Sequence, residues 1–173
     1  MMTIKQLEHS EFRSNTKHHT VYVVCENIKS PDNIGMIFRV SEAMGVKKIY
    51  LAGETVHPLN KRINKVSRST VNFVSYTVEP KVENVILKLK REGFTIIALE
   101  ITNKSKALSV INFRVFKKIA VVVGSEKYGL SPFMLREADV WAHIPLYGKN
   151  SSINVATALS IGLYELTQQI NKN

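Results

Sequence analysis

Short apolar runs rich in β-branched residues recur along the chain. They fall at Thr20 to Cys25, Lys48 to Ala52, Asn72 to Val78, Phe94 to Leu99, Ile119 to Val123 and Val140 to Ile144, and each predicts a strand. Between most of them lie segments of helical character: Ile34 to Met44, a weaker one at Leu59 to Val66, Pro80 to Arg91, and Pro132 to Glu137. Alternating strand and helix predicts an α/β domain built on a mostly parallel sheet. The runs TVYVVC and IAVVVG are apolar at consecutive positions, the pattern of strands covered by helices on both faces. The last segment, Ile153 to Ile170, predicts a long helix with apolar or small residues around most of its circumference, so it needs cover on more than one side. That cover is either the domain's own sheet or, the favoured reading, a second subunit that the small residues Ala156, Ala158, Ser160 and Gly162 admit closely.

A length of 173 residues predicts one domain over 1–173, large enough for a core without disulfide or metal staples, with residues 1–16 polar enough to form a loose arm. No apolar stretch approaches the roughly eighteen residues that cross a bilayer, and the amino-terminal residues lack the apolar core of a secretion signal, so a cytoplasmic protein without a membrane partner is expected. Cys25 is the one cysteine, which excludes an internal disulfide and any multi-cysteine metal site; it reads as a buried structural thiol, and no metal is expected. Lysine and arginine number 24 against 14 acids, a net charge of +10. Such a field attracts a polyanion, RNA or DNA first, although a solubility coat explains charge alone equally well.

Ligands of open α/β sheets bind beyond the carboxyl ends of the strands, which directs attention to the segments that follow them. After the first strand comes ENIKSPDNIGMIFRVSEAMGV, where Asp32 or Asn33 can cap a helix and Arg39 lies among apolar neighbours; the plainer reading of Arg39 is a surface pair with Glu42. After the strand ending at Val123 comes VVVGSEKYGLSP, whose Gly124 and Gly129 allow a tight turn around Glu126. It matches neither the P-loop nor the dinucleotide pattern. After the strand ending at Ile144 comes HIPLYGKNSSINVATALS, a loop leading to the polar start of the last helix, where Ser151 or Ser152 serves as a cap on the plainest reading.

In order and spacing, the three segments resemble the three motifs of the SpoU family of ribose methyltransferases, also called the TrmH family. The first motif is Asn33, Gly35 and Arg39; the second is Gly124, Glu126, Gly129 and Leu130; the third is Ile144, Pro145, Leu146, Gly148, Ser152, Asn154 and Val155. The third departs from the usual pattern at Ile153, where leucine is common, a volume-conserving exchange. The resemblance implies a SPOUT-type domain with a deep carboxyl-terminal trefoil knot and a homodimer with its site near the subunit boundary. It further implies that S-adenosylmethionine is held by Leu99, Glu100, Gly124, Ile144, Leu146, Ser152 and Ile153, and that methyl transfer to a ribose 2′-hydroxyl is arranged by Arg39, Asn33, Glu126, Ser152 and Asn154. An arginine stays protonated, so Arg39 is expected to clamp the neighbouring phosphate.

The basic stretch Lys61, Arg62, Lys65 and Arg68, with Lys47 and Lys48 nearby in sequence, is the candidate RNA backbone contact, a solvated charged face being the equal alternative. Transfer RNA is expected ahead of ribosomal RNA, by analogy with small family members. Two rival readings are a catalytically inactive knotted protein that binds RNA or assists assembly, and a methyltransferase acting on a base nitrogen. A conventional dinucleotide enzyme is disfavoured because no matching glycine pattern follows the first strand.

Overall fold

A computed structural model describes residues 20–171 together with Ile4, Lys5 and Glu11. The arm expected over 1–16 otherwise lies outside the described residues. The elements are β1 (Thr20–Glu26), α1 (Pro31–Ala43), β2 (Lys48–Ala52), α2 (Lys61–Ser67), β3 (Ser75–Glu79), α3 (Val82–Arg91), β4 (Thr95–Leu99), β5 (Lys106–Ala107), β6 (Lys118–Val123), α4 (Pro132–Glu137), β7 (Val140–His143) and α5 (Val155–Asn171). Seven strands form one sheet in the order β3-β2-β1-β6-β4-β7-β5, and every ladder is parallel.

Consecutive apolar positions along the strands serve two cores. Val23, Cys25, Leu51, Ile97 and Val121 face α1, α2 and α5, burying Ile34, Ile37, Phe38, Ile63, Leu159 and Leu163. Their neighbours Val24, Tyr50, Ile96, Ala98 and Val122 face α3 and α4, burying Val85, Ile86, Leu89 and Met134. A strand buried on both faces has no polar face to alternate with, which is why its sequence is continuously apolar. Burial pushes the Cys25 thiol well above its ordinary range, with the negative charge of Glu126 adding to the effect, so this cysteine is an unreactive core residue.

Local chemistry moves several boundaries from those the pattern predicts. Helix α1 opens at Pro31, with Ser30 Oγ accepting the Asn33 amide at 3.3 Å; Ser30, not Asp32 or Asn33, is the cap, because proline occupies the first helical position. The third strand begins at Ser75. Residues Thr70–Asn72 instead form a 3₁₀ turn, reached through Arg68 and Ser69 at φ +50° and +67°. These reorient the chain after α2 and leave Phe73 exposed beside an edge strand. Strand β5 has two residues, too few to show a period.

Helices α1 and α2 meet where Gly35 leaves room. A Cβ there would stand 2.7 Å from Val66 Cβ and 3.1 Å from the Ile63 carbonyl oxygen, so the close approach requires the missing side chain. Gly35→Ala should therefore destabilise the fold by about 1–2 kcal/mol, the overpacking cost exceeding the helix-propensity gain. Urea denaturation of Gly35→Ala, Val66→Ala and the double variant checks this, the double variant being more stable than the sum of the two single losses.

Candidate active site

Strand β6 enters the sheet between β1 and β4, both earlier in sequence, so the segments following β4, β6 and β7 converge at one end. The loop after β6 is folded tightly. Ser125 and Gly129 exchange backbone hydrogen bonds of 3.1 and 2.9 Å, and a Cβ on Gly124 would fall 2.3 Å from the Gly129 carbonyl carbon and 2.5 Å from the Leu130 nitrogen. Gly129, at φ +64°, packs against Glu100. The Glu100 carboxylate accepts the Leu130 amide through Oε2 at 3.3 Å and the Ile101 amide through Oε1 at 3.0 Å, pinning this loop to the end of β4. Buried Glu26, ending β1, accepts the Ser131 amide at 2.9 Å and anchors the far end of the loop.

Three side chains from three separate segments form a directional chain. Asn154 Oδ1 accepts the amides of Ala156 and Thr157 at 2.9 and 3.2 Å, which makes Asn154, in place of Ser151 or Ser152, the cap of α5. Its Nδ2 must then point outward, and it donates to Asn33 Oδ1 at 2.9 Å. That contact in turn directs Asn33 Nδ2 to Glu126 Oε1 at 2.6 Å. An ionised carboxylate accepts only, so each amide has one orientation consistent with its neighbours.

Beside this chain lies a cleft of about 540 Å³, within the range of small-molecule sites. Leu99, Glu100, Gly124, Ile144, Leu146, Ser152 and Ile153 all line it, as do Glu126 and Asn154. It thus combines an apolar wall, an exposed glycine backbone, two carboxylates and the amino end of α5. That set fits S-adenosylmethionine, which carries a flat purine, ribose hydroxyls and a cationic sulfur. Sequence reasoning missed Val123 and His143, strand-end residues that the carboxyl-edge rule alone could have flagged, and Ala158, one turn into α5. His143 Nδ1 lies 3.0 Å from Ser105 Oγ.

Other candidates stand elsewhere. Arg39 is exposed on α1 and does not line the cleft, and it makes no hydrogen bond or ion pair among the described residues, so the pair with Glu42 is absent. It lies six positions after Asn33, which at about 100° per residue places it on another side of the helix. On α2, Arg62 is engaged: Nε and one terminal nitrogen hold Asp32 Oδ1 and Oδ2 at 2.7 and 2.9 Å, and this hydrogen bonding keeps the Asp32 carboxyl below its usual range. Lys61, Lys65 and Arg68 remain exposed. Among the small residues of α5, Ala156 is buried, Gly162 abuts Leu99 and Ala158 lines the cleft, while half-buried Ser160 donates its Oγ to the Ala156 carbonyl.

Because Asn154 both caps α5 and donates to Asn33, two substitutions separate its roles. Asn154→Ala should cost about 1 kcal/mol, whereas Asn154→Asp, an equally good cap, should change stability by only a few tenths while still losing the donor. Chemical denaturation of both variants checks the difference.

Residues 20–164 match the SpoU rRNA Methylase family. A tRNA (guanosine(18)-2'-O)-methyltransferase of Borreliella burgdorferi is 28% identical over 92% of this chain and 71% of its own length. Another, from Thermus thermophilus, is 30% identical over 85% of this chain and 74% of its own. The AdoMet-bound rRNA methyltransferase from Sinorhizobium meliloti aligns with a TM-score of 0.82 at 25% identity over 90% of this chain, which spans 59% of that structure. With the family match running over most of the chain, the chain belongs to the SpoU family of S-adenosylmethionine-dependent RNA methyltransferases.

Proposed function

We propose that this chain methylates a ribose 2′-hydroxyl of RNA, transfer RNA ahead of ribosomal RNA, acting as a cytoplasmic homodimer. The observation that carries the reading is the linked Glu126, Asn33 and Asn154 chain bordering the cleft in a SpoU-family protein. Two relatives, each matched over more than two thirds of its own length, are named for methylation of a tRNA guanosine, which favours transfer RNA. The net charge of +10 suits a polyanionic substrate. Among the described residues no helix is long and apolar enough to cross a membrane.

S-adenosylmethionine, when bound, supplies an electrophilic methyl group on a sulfonium. Leu99, Ile144 and Leu146 provide an apolar wall that excludes water, and Glu100, Gly124, Ser152 and Ile153 hold the polar parts of the cofactor. Glu126, oriented by Asn33, presents a fixed acceptor to the ribose hydroxyl, and positioning of that hydroxyl supplies much of the rate. Arg39 clamps the adjacent phosphate through its planar fork.

The position of Arg39, away from its own cleft, fits a site completed by a second subunit. Helices α1 and α5 run side by side in the same direction from the Asn33–Asn154 bond to the Thr167–Met44 contact and leave Met36, Ile161 and Tyr164 exposed, which supports that face as the subunit contact. The loop after β6 crossing the end of β4, with the segment after β7 closing over the same cleft, supports the family's trefoil knot in the carboxyl-terminal half.

The direct test is transfer of labelled methyl from S-adenosylmethionine to unmodified bulk transfer RNA and ribosomal RNA, followed by nucleoside mass analysis. A labelled 2′-O-methyl nucleoside from transfer RNA is expected. Label on a base, or no transfer and no cofactor binding, overturns the reading. Asn154→Asp and Arg39→Ala should each lower turnover by about 100-fold or more with cofactor affinity retained, and Arg39→Lys should fail as well. Near-normal turnover in Arg39→Lys would rule out the clamp.

A further inference from the structure

Tyr128 stands two residues beyond Glu126, and neither the cleft nor the methyl-transfer scheme uses it. Its ring is 78% exposed. The backbone that carries it is fixed by the Ser125–Gly129 hydrogen bonds, and Ser125 Oγ accepts the Tyr128 amide at 3.0 Å. An aromatic ring held out on a rigid turn loses little freedom when it binds something. Lys127 Nζ lies 4.9 Å from the ring centroid, covering one face and leaving the rest to solvent. The Cα atoms of Glu126 and Tyr128 are at most about 7.6 Å apart. An exposed ring with a lysine over one face, beside the carboxylate assigned to the ribose, has the composition of a stacking platform for single-stranded nucleic acid.

Building on the RNA methyltransferase reading above, we propose that Tyr128 stacks on an unpaired nucleobase beside the methylated ribose, with Lys127 against the adjoining phosphate. The target nucleotide is then taken from an unstacked loop and not from a duplex. Base stacking is sequence-tolerant because every base has a π-face, so Tyr128 selects for single-stranded character and leaves base identity to other contacts.

The test compares wild type, Tyr128→Ala and Tyr128→Phe. It measures methyl transfer to the RNA pool that the wild type modifies, S-adenosylmethionine affinity, solution mass, and anisotropy of fluorescein-labelled oligouridylate, single-stranded or annealed to oligoadenylate. Tyr128→Ala should raise KM for RNA about tenfold, with kcat within about threefold and cofactor affinity intact. It should also lose the preference for the single strand, and Tyr128→Phe should restore both. Unchanged KM and oligouridylate affinity in Tyr128→Ala would overturn the proposal. Equal loss in Tyr128→Phe would overturn it by placing the effect in the hydroxyl, and a fall in cofactor affinity or solution mass by making the ring a structural or subunit contact. If the wild type methylates no RNA, that failure belongs to the methyltransferase reading, and the oligouridylate comparison still decides the role of the ring.

Discussion

The backbone of Gly124 passes so close to Gly129 and Leu130 that no side chain fits between them, and the geometry of the cleft depends on that contact. With the turn closed, Glu100 reaches both Ile101 and Leu130, and the loop after β6 is joined to the end of β4. One wall of the cleft is therefore made of backbone, held by hydrogen bonds that a folded chain cannot leave unmade in a half-buried setting. Strand order places that wall: β6 lies between β1 and β4, which brings Glu126 across to Asn33 at the start of α1.

Directionality is the second consequence. The free amides at the start of α5 fix the orientation of Asn154, which fixes Asn33, which fixes the Glu126 carboxylate. Each link is a modest hydrogen bond in water, but the chain converts a helix terminus into an oriented carboxylate on another loop. Preorganised polar groups of this kind need no rearrangement when charge develops nearby, which is how such groups act most strongly.

Charge works at two scales in this molecule. Over its whole surface the protein is basic, and that field favours approach of RNA. At the cleft the two carboxylates of Glu100 and Glu126 outnumber the one lysine, Lys127, as suits a cationic sulfur centre. Arg62 shows why counting basic residues is a poor guide to substrate contact, since its guanidinium already holds Asp32 and ties α2 to the start of α1.

Six of the seven strands were legible in the sequence as apolar, β-branched runs, continuous where helices cover both faces, and the glycines of the second motif were legible because no other residue fits those turns. The resemblance picked out the seven residues that line the cleft with Glu126 and Asn154. Local pattern did not reveal the two-residue β5, the inward packing of Ala156 and Gly162, the cap at Asn154, or the turn of Arg39 away from the cleft. Asn33 and Glu126 are 93 positions apart, and Asn33 and Asn154 are 121 apart. Periodicity reports only whether a residue is buried and on which side of its own element, so the sequence by itself determined the elements, their two-faced burial and the turns that need glycine. Which distant side chains meet was decided by tertiary structure, because it depends on the order in which the strands enter the sheet.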